Sequence, residues 1–193
     1  MAVVVLATVA PSATAVEDCW TGCSAGDVTI GLKGVWLGRP DDGSSLGSPS
    51  YGETVSAAIW ASVDSTAKQR YAGMARFDLV INGGAPVRHT LCFADYLAQS
   101  PHDYLILPIN WTAGDTGELL NMQFGWLQKD PKDPTRSPCE VVKDLNYCPG
   151  AGEGSGGPKC TPPQNVSVRT PLVASFSSNS PQCLGDPIQF DAT

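Results

Sequence analysis

The 193-residue chain is predicted to be all-β: an antiparallel Ig-like β-sandwich, then a Gly/Pro-rich linker, then the first strands of a second β-sandwich domain. Three observations predict this. Apolar residues recur at every second position in six separate stretches, the period of a strand with one buried face. Helical periodicity is nearly absent. Gly (20) and Pro (16) are frequent, so turns are many and elements short.

The elements follow in order. In DVTIGLKGVWL the residues Val28, Ile30, Leu32 and Trp36 are assigned to one face. In TVSAAIWASV the shared face carries Val55, Ala57, Ile59 and Val63. MARFDLVI aligns Phe77, Leu79 and Ile81, and Asn82-Gly83-Gly84 then turns the chain. Asn-Gly is a strong hairpin signal because both residues accept positive φ. VRHTLCF is the returning strand, and CFADYLAQS leaves room for one or two helical turns. YLILPINW aligns Leu105, Leu107, Ile109 and Trp111, with Pro108 marking an edge strand or a bulge. LLNMQFGWL aligns Leu120, Met122, Phe124 and Trp126. Six strands between residues 27 and 128, separated by turns, fit a sandwich.

Beyond residue 128 the periodicity stops. KDPKDPTRSPC and CPGAGEGSGGPKCTPP are rich in turn residues and are assigned to loop and then linker. Strand signals resume at QNVSV, PLVASF and DPIQFDA. The expected boundaries are 1–15 for a signal-peptide remnant, 16–148 for the sandwich, 149–170 for the linker and 171–193 for the start of a second domain. The signal peptide rests on the apolar run of residues 2–10 and the Ala13-Thr14-Ala15 cleavage pattern; a charged n-region is missing. The run is too short for a membrane span, so no membrane insertion of the mature chain is expected.

Seven cysteines stand at 19, 23, 92, 139, 148, 160 and 183. Behind an export signal they read as disulfides. Zinc is disfavoured, because there is no C-x-x-C pair and His89 and His102 are not at ligand spacing. Cys19, Cys23, Cys92, Cys139, Cys148 and Cys160 are expected to form three bonds. The preferred local pairing is Cys148 with Cys160, closing the Gly-rich loop, with Cys92 reaching either the N-terminal pair or Cys139.

Charge and composition narrow the function. The formal net charge is −7, with 12 basic residues and no Lys/Arg cluster, which argues against nucleic acid. GEGSGGPKC resembles the nucleophile stretch of chymotrypsin-like proteases, but Gly154 stands where that motif requires Asp before Ser155. His89 and Asp103 lie too close in sequence to stand for its other two residues, and a triad is recognised by geometry rather than by a local string. Ser155 is therefore assigned to linker, no catalytic residue is assigned, and the chain is expected not to be an enzyme. Of the five tryptophans, Trp36, Trp111 and Trp126 are assigned to the core and Trp20 to packing on a disulfide. Trp60 alone lies opposite an apolar face, which makes it the candidate contact for a carbohydrate. Asp41, Asp42 and Ser44 offer oxygens to calcium without EF-hand spacing, and turn chemistry favours a polar loop there, as at Asp115. No other cofactor is indicated. Asn110-Trp-Thr and Asn165-Val-Ser match the N-glycosylation pattern, Asn165 being the better placed if it lies in a linker.

The last stretch, PLVASFSSNSPQCLGDPIQFDAT, resembles the opening of a PKD (polycystic kidney disease repeat) domain. The likeness is carried by Ala174-Ser175-Phe176 and by the segment from Cys183 to Thr193. The W-D-F-G-D-G motif of that family is absent. The first domain is more loosely similar to modules found before such repeats, through Cys23–Val28 and Ile109–Asp115. The resemblance implies a secreted, non-catalytic structural or adhesive module of a multidomain cell-surface protein. Its partners would be other domains of the same protein and a cell-surface glycan or protein. It also implies that Cys183 is unpaired within this chain, its partner lying further along the second domain. The alternative is a carbohydrate-binding module of a secreted hydrolase.

Overall fold

The turn at Asn82-Gly83 forms as expected. Both residues have positive φ, 51° and 68°, and Gly84 donates its N–H to the Ile81 carbonyl at 2.9 Å. This hairpin lies in a computed structural model that describes residues 19–23, 26–151, 159–169, 176–178 and 190–192. The signal-peptide segment, Ser155 and Cys183 lie outside the described residues.

Two antiparallel sheets form the sandwich. Strands β1 (Val28–Gly38), β2 (Thr54–Ser65) and β5 (His102–Thr112) make a three-stranded sheet in the order β1-β2-β5. Strands β3 (Gln69–Ile81), β4 (Val87–Ala98), β6 (Thr116–Leu127) and β7 (Gln164–Arg169) make a four-stranded sheet in the order β4-β3-β6-β7. A short helix, α1 (Pro138–Asp144), lies between β6 and β7. Further along, β8 (Phe176–Ser178) pairs antiparallel with β9 (Phe190–Ala192).

The core fills the space between the two sheets. Ala57, Ile59, Ala61 and Val63 of β2 face Ala75 and Phe77 of β3 and Met122, Phe124 and Trp126 of β6. Trp111 and Trp126 are buried, as their alternation predicts. Pro108 sits exposed on β5, an edge strand, where a missing N–H disrupts no ladder.

Bulges account for the strand residues that face the other way from expectation. A bulge adds residues to one strand and so reverses inside and outside beyond it. In β1 the register jumps from Ile30 opposite Val63 to Val35 opposite Ala61, with Gly34 at φ 69°. Val35 and Leu37 therefore pack on the core, while Leu32 is fully exposed and Trp36 turns outward to lie across from Trp60. In β6 a shift between Leu119 and Met122, with Asn121 at φ 54°, buries Leu119 in place of Leu120. In β5 the register passes from Leu107 to Leu105, and the intervening Ile106 is buried.

Three other expectations are corrected. CFADYLAQS is strand, not helix: β4 runs unbroken to Ala98 because β3 pairs along its length. SPCEVVKD, expected as loop, forms α1. Ser137 accepts from the Glu140 N–H, the Glu140 carboxylate accepts from the Ser137 N–H, and Pro138 opens the helix. This capping box was readable as S-x-x-E. Residues 159–169, expected as linker, belong to the sandwich. Cys160 bridges Gly125, and β7 pairs with β6 from Met122 to Thr116. The sandwich therefore runs past the expected boundary at 148, and Asn165 stands on a strand.

Candidate functional site

Alternation along β3 sends Ala75, Phe77 and Leu79 into the core, so Arg76 and Asp78 project from the opposite face of the four-stranded sheet. Gln123 of β6, between the core residues Met122 and Phe124, projects the same way. This outer face is covered in part by segments that sequence alone left without a partner.

At one end lies a second apolar cluster. Trp20, Ala72, Met74, Leu127, Val142 and Cys160 are buried there together. The three disulfides lie around it: Cys19–Cys148 and Cys23–Cys160 join covering segments to one another, and Cys92–Cys139 joins α1 to β4. Their Cα–Cα distances of 5.5, 5.0 and 5.5 Å lie in the normal range. The expected set of six cysteines is thus the bonded set, and Cys92 takes the Cys139 alternative. The expected Cys148–Cys160 pair does not form. Cys148 follows α1 and meets the N-terminal turn, whereas Cys160 lies against β6 and meets Cys23. Trp20 packs on this cluster, as predicted for a tryptophan between two cysteines. Gly125 makes the close approach: a Cβ there would stand 2.6 Å from Pro149 Cγ and 2.8 Å from Trp20 Cη2.

Beside the cluster is a groove of about 460 Å³, lined by both apolar and polar side chains. Its floor is a fixed network. Arg88 Nη2 donates to Asp78 Oδ2 at 2.8 Å, and Arg88 Nε donates to Oδ1. The Arg88 hydrogen bond, joined by the Asn121 side chain and the field of Arg76, holds the Asp78 carboxyl below the usual carboxylate range, against partial burial. Gln123 is buried, and its Nε2 donates to the Trp20 carbonyl at 3.2 Å and the Thr161 carbonyl at 3.1 Å, with Cys23 Sγ at 3.3 Å. One carboxamide thus ties both walls to β6: the Trp20–Cys23 turn and the 161–163 segment. The Thr161 hydroxyl completes the tie by accepting the Phe124 N–H at 2.9 Å.

The expected site residues are dispersed. Trp60 lies on the outer face of the other sheet. Its Nε1 donates to the Arg39 carbonyl at 3.0 Å, and the backbone of Gly43 rests on its ring. The Trp36 ring lies beside it at 6.4 Å and 18°, and Lys33 Nζ stands 5.9 Å from the Trp36 centroid. Asp42 accepts the Ser44 N–H at 2.9 Å, and Asp41 pairs with Arg39 at 3.4 Å, so both serve the loop that carries Gly43. Among the described residues no group of three or more His, Cys, Asp and Glu converges as a metal site. Asp115 accepts from Asn82 Nδ2 at 2.7 Å, joining two turns. Asn110 is exposed on β5, and Asn165 Oδ1 accepts the Asn121 N–H at 2.9 Å. His89 stacks on Phe77 at 5.3 Å in one sheet, while Asp103 pairs with Lys33 on the other. No helix among the described residues is long and apolar enough to cross a membrane.

Sequence reasoning passed over Arg76, Asp78, Arg88, Asn121 and Gln123. Each is a polar residue on the outward side of a strand, and such residues ordinarily face solvent. Only the strand order β4-β3-β6 makes them neighbours.

The fold and its crosslinks define a disulfide-bonded, two-sheet β-sandwich. The chain matches no protein-family model, no curated protein and no solved structure.

Proposed function

We propose that this chain is a secreted, non-catalytic module that serves a structural or adhesive role in a multidomain cell-surface protein. The observation that carries the reading is the arrangement of the three disulfides. They link the N-terminal turn to the segment after α1 and to the 159–161 segment, and α1 to β4, around the second apolar cluster on one sheet face. Disulfides of this kind persist in oxidising compartments, which supports an extracellular location. The three-plus-four strand arrangement supports the Ig-like description, and the β8–β9 ladder is compatible with a PKD-like domain beginning after the sandwich.

The adhesive role is tested with microspheres coated with the chain and passed in flow over the cells that produce it. Retention above albumin-coated spheres is expected. Retention equal to albumin, or stoichiometric labelling of Ser155 by a fluorophosphonate probe, defeats the reading.

A further inference from the structure

We infer that the groove on the outer face of the four-stranded sheet is a binding site for a short neutral glycan segment. The inference rests on the adhesive reading and gives it a ligand class.

Four features point to this ligand. The volume, about 460 Å³, lies within the range of small-molecule sites. The lining groups are of a kind suited to polyols: the guanidiniums of Arg76 and Arg88, the Asp78 carboxylate, the Asn121 carboxamide and the Gln123 side-chain carbonyl. These planar groups offer paired donors and acceptors, matching hydroxyls that both donate and accept. Pro162 and Pro163 add flat apolar faces along one wall, suited to the C–H face of a sugar ring. The floor is also preorganised. Asp78 fixes Arg88 through two bonds, and Gln123 and the Cys23–Cys160 disulfide fix the walls, so little ordering entropy remains to be lost on binding.

The other classes fit less well. A phosphate or sulfate would have to share the Arg88 guanidinium with the Asp78 carboxylate that already engages it through two bonds. An apolar ligand would cover the charged Arg76, Asp78 and Arg88 groups without replacing their contact with water. The rival sugar platform, the Trp36–Trp60 pair, has Gly43 resting on the Trp60 ring and Lys33 near the Trp36 ring.

The test is a glycan array carrying neutral and uronate-containing oligosaccharides, probed with the 193-residue chain. Hits are followed by calorimetric titration with the free oligosaccharide. Two groove variants are compared with Trp60→Ala. Arg88→Gln removes a half-exposed guanidinium, and Asn121→Gly removes the carboxamide while accepting the positive φ at that position. Near-ultraviolet circular dichroism confirms that each variant is folded. The expected result is a neutral glycan hit whose affinity falls about tenfold or more in both groove variants, about 1.4 kcal/mol or more, and is unchanged in Trp60→Ala. Three results overturn the inference. One is no neutral hit with Kd below about 1 mM. Another is binding lost in Trp60→Ala and kept in the groove variants. The third is binding confined to uronates and abolished by about 0.5 M NaCl, which marks a charge site. Microsphere retention that persists without any glycan hit would leave the adhesive reading standing and remove only this ligand.

Discussion

Trp36 and Trp60 stand directly across from one another on β1 and β2, with ring centroids 6.4 Å apart and planes 18° from parallel. The pairing exists because the Gly31–Gly34 bulge turns Trp36 out of the core. Cross-strand aromatic pairs stabilise beyond the area they bury. A double-mutant cycle of Trp36→Ala and Trp60→Ala, followed by urea unfolding, should give a coupling of about 0.5–1.5 kcal/mol. Independent effects of the two changes would show that the rings are neighbours without being partners.

The disulfide pattern makes a second prediction. Non-reducing peptide mapping should recover Cys19–Cys148, Cys23–Cys160 and Cys92–Cys139. Replacing Cys92 and Cys139 together by Ala opens a loop of sequence separation 47. In the chain-entropy model this costs about 4 kcal/mol, less any native strain relieved. A Cys148–Cys160 peptide would contradict the structure.

Gln123→Ala should be more harmful than its polarity implies. It strips the donor from the Trp20 and Thr161 carbonyls at once. Leaving a buried polar group unpaired costs about 1–3 kcal/mol, so a loss of at least about 2 kcal/mol in chemical denaturation is expected. Gln123→Glu, similar in shape but without the donor, should not rescue it.

Among the described residues His89, Asp78, Asp42 and Asp133 have shifted pKa values, and the first two belong to the four-stranded sheet. Burial against Phe77 lowers the His89 pKa from 6.5, opposed in part by the Asp78 charge. Below pH 6.5 the unfolded chain therefore takes up a proton before the folded one does. The contribution of His89 is complete above 6.5 and is lost as pH falls toward the folded pKa. Asp78 is held below 3.8, chiefly by Arg88, so its contribution is complete above 3.8 and is lost as pH falls further, through the folded value. Melting temperatures measured from pH 8 to pH 2 should show both declines (about 8 to 2 spans both reference values). His89→Phe should flatten the upper one, and Asp78→Asn should lessen the lower, to which Asp42 and Asp133, held low by hydrogen bonds from Ser44 and Thr135, also contribute. An upper decline unchanged in His89→Phe would assign it to another group.

Local patterns carried much of the fold. Period two in β2 and β3 placed Ala57, Ile59, Phe77 and Leu79 on the core side, because the pleat alone sets which way a side chain points. Asn82-Gly83 marked its hairpin because few residue pairs accept two positive φ angles. The six bonded cysteines were readable as a set from chemistry and compartment. Their pairing was not, since it depends on which distant segments pack together. The SPCE capping box was local and readable, and the lack of helical period around it hid α1. The bulges at Gly31–Gly34 and Asn121 moved Trp36 outward and Leu119 inward because each is fixed by the register of a neighbouring strand, which no short window contains. The same reason removed QNVSV from a linker and made it β7: a strand needs a partner, and its partner β6 lies some forty residues earlier (about 40). The groove is further still from any local signal. Arg76, Arg88, Asn121 and Gln123 sit on three strands, and each has the outward polar character that solvent alone would explain. Their convergence arises from long-range backbone pairing and from disulfides that close the walls around them.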